Sequence, residues 1–338
     1  MSESADPRWT FSFPDGIGER LMDEWKRFTA HPGGIDVPIA PPNPVVAGKL
    51  LFDEMYRLGR AQWPSRALAD VDVATSESAI AAALELYGRN GWLDDPTTFH
   101  TEPTPASPRF AREWSPSGSF DHAEFVSGYA PRDEDPGRAT WLAQRANRTA
   151  HAWMLRNAAD TTRWLVCVPG LGMGTATLDL SVFDAARLHA EHGLNVAVYV
   201  PPLHGPRRRG WWSAEGVLDG SPLAFVHACA QAVWDLRRLL GWIRSQGGSR
   251  IGVYGLSTGA TTAALLAGVD AGLACVVAGI PVVDVVSPFD SYAARVARAT
   301  GEREELVRAR TRLLLRLASP LAMHPLEHAL IFPPPLIQ

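Results

Sequence analysis

The sequence predicts an α/β protein built on a doubly wound, mostly parallel sheet. Three observations carry this. From about residue 119 onward, strand-like runs alternate with helix-like runs. The runs "RWLVCVPG", "NVAVYV", "RIGVYG" and "LACVVAG" are almost continuously apolar, the pattern of strands buried on both faces. The segments between them are long enough to cross over as helices, which parallel neighbours require.

Before that point the chain reads differently. Residues 50–60 and 78–87 have helix-forming composition, while "PIAPPNP" and "TEPTPASP" cannot continue a helix, because proline lacks the N–H and clashes with the preceding turn. Residues 1–115 are expected to form a helical, proline-interrupted extension, and 116–338 the α/β domain. "SFDHAEFVSGY" and "RTAHAWMLR" read as two strands near a sheet edge. After "RWLVCVPG" one helix is expected over 176–192, stopped by Gly193. Ser221 and Pro222 are the N-cap and first residue of the clearest helix. Its Val226, Cys229, Val233, Leu236, Leu240 and Ile243 recur at spacings of three and four, forming one buried stripe, and Gly247 and Gly248 end it. "RIGVYG" leads into a helix after Ser257, followed by the strand "LACVVAG" and a helical region over 291–318. "HALIF" reads as the start of another strand.

Bulk composition excludes several functions. Hydrophobic residues make up 46% and charged residues 20% of the chain, ordinary values for a globular core. A net charge of -4 offers no footprint for nucleic acid or an anionic membrane. The uncharged run 251–269 has spanning length, but its serine, threonines and four glycines make it too polar and too easily interrupted to span a bilayer. Cys167, Cys229 and Cys275 sit in apolar runs without C-x-x-C spacing, so they are expected to be buried thiols in a reducing compartment. The polar start "MSESADPRWTF" lacks the apolar core of a secretory signal. A cytoplasmic protein without membrane or nucleic-acid partners is expected.

The glycine cluster "VPGLGMGT" follows a strand and precedes a helix, which invites a dinucleotide reading. That reading fails on spacing, because the third glycine comes one residue early and no acid closes the next strand, "VYVPPLHG". The same turn suits acyl transfer, in which fixed backbone N–H groups stabilise charge developing on a carbonyl oxygen. Leu171 supplies one such N–H and Thr258, at the start of a helix, the other. Between Gly255 and Gly259 in "GLSTG" stands Ser257, the candidate nucleophile on a tight strand-to-helix turn. Arg207, Arg208 and Arg209 follow a core strand, beside Trp211 and Trp212. They are either solvated surface or a lid, with Arg207 and Arg208 recognising a substrate carboxylate or phosphate.

These motifs, in this strand order, resemble the α/β-hydrolase superfamily over about residues 120–334. The turn "PPLHGPRRRG" resembles that of one branch, alpha/beta hydrolase domain-containing protein eighteen and its bacterial relatives. The resemblance implies hydrolysis of an ester, thioester or amide through an acyl-serine on Ser257, on a small-molecule acyl substrate. It implies no metal and no organic cofactor. The superfamily order is serine, acid, histidine. Only 81 residues follow Ser257, and they leave no room for a final strand and histidine loop. The chain is therefore expected to be shortened at its C-terminus, with an incomplete relay. Asp284 as acid and His204 as base each follow a core strand and so belong at the correct sheet edge, whereas His324 and His328 precede "ALIF" and belong at the other. The alternative function is a hydrolase-fold protein without efficient catalysis, a truncated product or a binding scaffold.

Overall fold

The computed structural model describes residues 72–323, apart from Ser117, Ala158, Asp219 and Val283. They build a seven-stranded sheet ordered β1-β2-β3-β5-β4-β6-β7. The strands are β1 (Arg109–Ser115), β2 (Gly118–Val126), β3 (Thr149–Leu155), β4 (Arg163–Val168), β5 (Asn195–Val200), β6 (Arg250–Leu256) and β7 (Cys275–Gly279). The run β5-β4-β6-β7 is parallel throughout, with Val166 opposite Ala197 on one side and Val253 on the other. On the other flank β1, β2 and β3 pair antiparallel with one another, and β3 pairs antiparallel with β5. The parallel core is the one expected, and its strand order is that of the α/β-hydrolase fold. β1 was not expected: the sheet begins within the stretch read as a helical extension. Of that extension's two predicted helices, 78–87 falls within α1 (Val73–Arg89), and 50–60 lies outside the described residues.

Both faces of the sheet are covered because successive side chains point in opposite directions. Val196, Val198 and Val200 of β5 pack with Leu180, Phe183 and Ala185 of the segment that holds α2 (Ala176–Val182) and α3 (Ala185–His192). Ala197 and Tyr199 belong to the opposite core, with Val233, Leu236 and Leu240 of α4 (Pro222–Ser245). Full burial of each valine, leucine or phenylalanine among them contributes about 1.5–3 kcal/mol.

The single helix expected over 176–192 is two. Asp184 sits at φ 51, a left-handed conformation that breaks the helical hydrogen-bond ladder between α2 and α3. Gly193, at φ 63, ends α3 as expected. Ser221 occupies the N-cap of α4, but its hydroxyl caps no amide and instead accepts from Ser76 Oγ at 3.2 Å. The predicted stripe of α4 is buried, and so are Leu223, Phe225, Ala230 and Leu239 around it. The turn Leu315–Ala318 packs on this helix too, which periodicity alone could not show. The helical region predicted over 291–318 is Asp290–Thr300, closed by Gly301 at φ 74, then Glu304–Leu314 and Leu315–Ala318. "HALIF", His324 and His328 lie outside the described residues.

Cys275 is exposed rather than buried, unlike Cys167 and Cys229. It lies on β7, one of the two edge strands among the described residues, where Val277 is also exposed. No helix among the described residues is long and apolar enough to cross a membrane.

The chain order places a switch point in this sheet. From β4 the chain moves to β5 on one side, and from β6 it moves to β7 on the other. Open α/β sheets bind ligands in the crevice at the carboxyl ends of such strands.

Candidate active site

Ser257 sits at that crevice, alone between β6 and α5 (Thr258–Ala267). Its backbone lies at φ 53, ψ -119, a sparsely populated region that costs about 1–3 kcal/mol. The surroundings hold it there. Ser257 N donates to Gly279 O at 2.9 Å, and the amides of Ala260 and Thr261 donate to the Ser257 carbonyl at 2.9 and 3.2 Å. The flanking glycines are required by close approach. A Cβ at 259 would overlap the Val168 carbonyl oxygen, and one at 255 would overlap that of Gly259.

The glycine turn after β4 lies against the serine. A Cβ on Gly170 would stand 3.3 Å from Ser257 Cβ and 3.1 Å from Leu256 O. Leu171 follows in this turn, and Thr258, the residue after the serine, opens α5. Among the described residues nothing accepts the Thr258 amide hydrogen, as is normal in the first turn of a helix.

Asp179 of α2 was not anticipated from the sequence. It is fully buried, and its two oxygens accept from Gly174 N at 2.9 Å and Trp153 Nε1 at 3.0 Å, tying the glycine turn to the sheet. Burial raises its carboxyl to about 6, against the pull of those hydrogen bonds. The available signal was an acid inside the apolar helix that follows the glycine turn. Ser213 was missed as well. Its hydroxyl donates to Met173 O and accepts from Gly205 N at 3.0 Å, joining the glycine turn to the turn after β5.

His204 is buried in that second turn. Its Nδ1 lies 2.8 Å from Pro202 O, an acceptor only, so Nδ1 carries the proton and Nε2 the lone pair. Nε2 is buried without a hydrogen-bond partner among the described residues, and burial pushes the imidazole down to about 4. His204 shares the lining of a cavity of about 40 Å³ with Pro169, Thr258 and Gly259. Asp284 is exposed and closes its own turn, accepting from Val286 N at 2.9 Å, Ser287 N at 3.2 Å and the Ser287 hydroxyl. The Ser287 hydroxyl and these amides hold its carboxyl below the ordinary range. It contacts no histidine among the described residues. The turn that carries Leu171 thus lies against Ser257, Thr258 follows the serine at the start of α5, His204 shares a cavity lining with Thr258, and Asp284 makes no hydrogen bond to His204. Among the described residues no side chain hydrogen-bonds the Ser257 hydroxyl.

No protein-family model matches the chain. It is 39% identical over 302 residues to Uncharacterized protein MT2702 of Mycobacterium tuberculosis (strain CDC 1551 / Oshkosh), covering 86% of this chain and 70% of that protein. Identity and coverage are the same for Uncharacterized protein Rv2627c of strain H37Rv. The chain belongs to their family. Similar solved structures include an acetyl xylan esterase from Paenibacillus sp. R4, 16% identical, with TM-score 0.41 and 71% and 74% of the two chains covered. Acetyl xylan esterase 1 from Thermoanaerobacterium sp. JW/SL YS485 is 12% identical, with TM-score 0.44 and 73% and 78% covered.

Arg207 corrects the lid reading. It is completely buried, paired with Asp235 Oδ2 at 2.8 Å, and bonded to Tyr199 Oη at 2.9 Å and to Val200 O and Asn147 O at 3.0 Å. A guanidinium fully buried in the core, with both terminal nitrogens bonded there, cannot meet a substrate. Arg208 is exposed and donates to Gly205 O at 3.1 Å, and Trp211 beside it is 90% exposed.

Proposed function

We propose that this family member is a serine hydrolase of the esterase, thioesterase or amidase type, acting on a small acyl substrate. The observation that carries the reading is Ser257, held at φ 53 on a strand-to-helix turn at the sheet's switch point. Its Oγ attacks the acyl carbonyl carbon and forms a tetrahedral intermediate. The Leu171 and Thr258 amides donate to the oxyanion, supported by the positive end of the α5 dipole. The intermediate collapses, expels the alcohol, thiol or amine, and leaves an acyl-serine that water hydrolyses. The serine proton needs a base. His204 Nε2, the free lone pair in the neighbouring turn, is our candidate. Arg208 and Trp211 are candidates for contacts with the substrate at the rim. The likeness of the 201–210 turn to the protein-eighteen-like branch supports the same class. A cytoplasmic location fits the three free cysteines.

A second reading is favoured by one observation: among the described residues no base or acid contacts Ser257. On it, the protein keeps the hydrolase fold without efficient turnover. Losing one member of a triad costs about 10⁴–10⁶-fold in turnover.

Fluorophosphonate labelling and p-nitrophenyl ester hydrolysis by the full chain, Ser257→Ala and His204→Ala separate these readings. Labelling and turnover lost in both variants support the hydrolase with His204 as base. Weak labelling that needs Ser257, without turnover, supports the second reading. Labelling undiminished in Ser257→Ala refutes the assignment of the nucleophile.

A further inference from the structure

Outside the serine site, the antiparallel flank gathers imidazoles and carboxylates on one face of the sheet. β2 carries His122 and Glu124, β3 carries His151, and β1 carries Glu113. Glu124 stands opposite His151, and His122 lies two residues along β2, so register alone puts all three on one face. Glu113, opposite Phe120, shares that face.

The atoms converge. His122 Nε2 is 3.0 Å from His151 Nδ1, and Glu124 Oε1 is 3.4 Å from His151 Nδ1 and 3.7 Å from His122 Nε2. A tetrahedral zinc ion with ligand bonds of about 2.0–2.2 Å holds its ligand atoms about 3.3–3.6 Å apart. The observed triangle is close to that size. The tautomer is suitable too. His122 Nδ1 lies 2.7 Å from Glu113 Oε1, and a carboxylate only accepts, so Nδ1 carries the proton and Nε2 offers its lone pair inward. This is the carboxylate–histidine support that metal-ligating histidines commonly have. The Trp153 ring, with its centroid 4.6 Å from that of His122, limits rotation of the imidazole.

We infer that His122, Glu124 and His151 bind a divalent transition-metal ion of the zinc class, with Glu113 orienting His122. Two imidazoles and one carboxylate suit zinc and its late first-row neighbours, whereas magnesium and calcium prefer oxygen ligands throughout. The Glu124 side chain is 50% exposed, which leaves the fourth position to water. The ion would pin the β1–β2 hairpin to β3. The competing account is a proton shared between the imidazoles, flanked by the two carboxylates, with no metal stoichiometry.

The test uses tag-free full-length protein, stripped with EDTA, dialysed, and titrated with zinc against a chromophoric chelator. One saturable equivalent is expected, lost in His122→Ala and His151→Ala and weakened about 10–100-fold in Glu113→Gln. Cobalt(II) should give the intense visible bands of a tetrahedral site in the wild type and not in those variants. Glu124→Gln, at an exposed position, repeats the test where a histidine variant fails to fold. Ser257→Ala should bind zinc as the wild type does, which separates this site from the serine chemistry. Absence of saturable zinc, or unchanged affinity in the His122→Ala/His151→Ala double variant, overturns the inference.

Discussion

Replacing Asp235 with alanine should destabilise the protein more than any surface change. Arg207 and Asp235 are both fully buried, and their ion pair joins the turn after β5 to the middle of α4. Asp235 also accepts from Ser127 Oγ at 2.5 Å and Tyr199 Oη at 3.1 Å. Burial pushes its carboxyl up, while the Arg207 charge and these hydrogen bonds pull it back. In Asp235→Ala the guanidinium remains buried with only neutral acceptors, and removing one partner of a buried pair costs about 3–5 kcal/mol. Urea unfolding at neutral pH measures this. With a slope of about 1–3 kcal/mol per M, the midpoint should fall by more than about 1 M. The double variant Arg207→Met/Asp235→Leu should recover most of the loss, because well-packed apolar replacements of buried pairs are often nearly neutral. The cycle should therefore show strong coupling. A single-variant cost below about 1 kcal/mol, or simple additivity, would refute the reasoning.

Three further outcomes follow from the strain at Ser257, the exposure of Cys275 and the burial of Asp179. Ser257→Gly should raise stability by about 1 kcal/mol or more in urea, because glycine tolerates positive φ, while fluorophosphonate labelling disappears; a loss of stability would remove the strain argument. Only Cys275 should react quickly with a thiol reagent in the native protein, since Cys167 and Cys229 are buried and burial pushes the Cys229 thiol up to about 12; two or three fast thiols would contradict this. The Asp179 carboxyl binds its proton more tightly when folded, at about 6 against 3.8, so its contribution favours the fold at low pH and is lost as pH rises from about 4 to about 6. Asp179→Asn should remove that part of the slope in urea midpoints measured across this range, and an unchanged slope counts against it.

The parallel strands and the serine turn were legible because local pattern determines them. Apolar runs of strand length, bounded by glycines, mark β4 and β6 wherever they pack. What could not be read depends on distant neighbours. "RRR" looks the same whether solvated or buried, and only Asp235, 28 positions beyond Arg207, decides it. Asp179 looks like an ordinary helical acid until the fold brings Gly174 and Trp153 to its two oxygens. β1 was obscured because its side chains are exposed up to Ser115, so no apolar alternation announced it. Cys275 looked buried because its run is apolar, but sequence cannot say which strand lies at an edge. The His122–Glu124–His151 cluster needed the register of β2 against β3, which hydrophobic periodicity does not specify.

The bland account of Ser257 is a helix N-cap, the commonest reason for a serine just before a helix. An N-cap residue has extended dihedrals, and its oxygen accepts from the second or third amide of the helix. Ser257 meets neither condition: its φ is 53, and its side chain makes no capping bond. Removing that hydroxyl should therefore cost the helix nothing. The backbone strain brings no side-chain capping bond in return, whereas the neighbouring backbone contacts act to preserve it. Gly259 allows α5 to approach the end of β4, and Gly170 brings the Leu171 turn up to the serine. Backbone packing thus leaves a half-buried hydroxyl between the glycine turn and the start of α5, an arrangement that suits the proposed acyl transfer and does nothing to hold the helix.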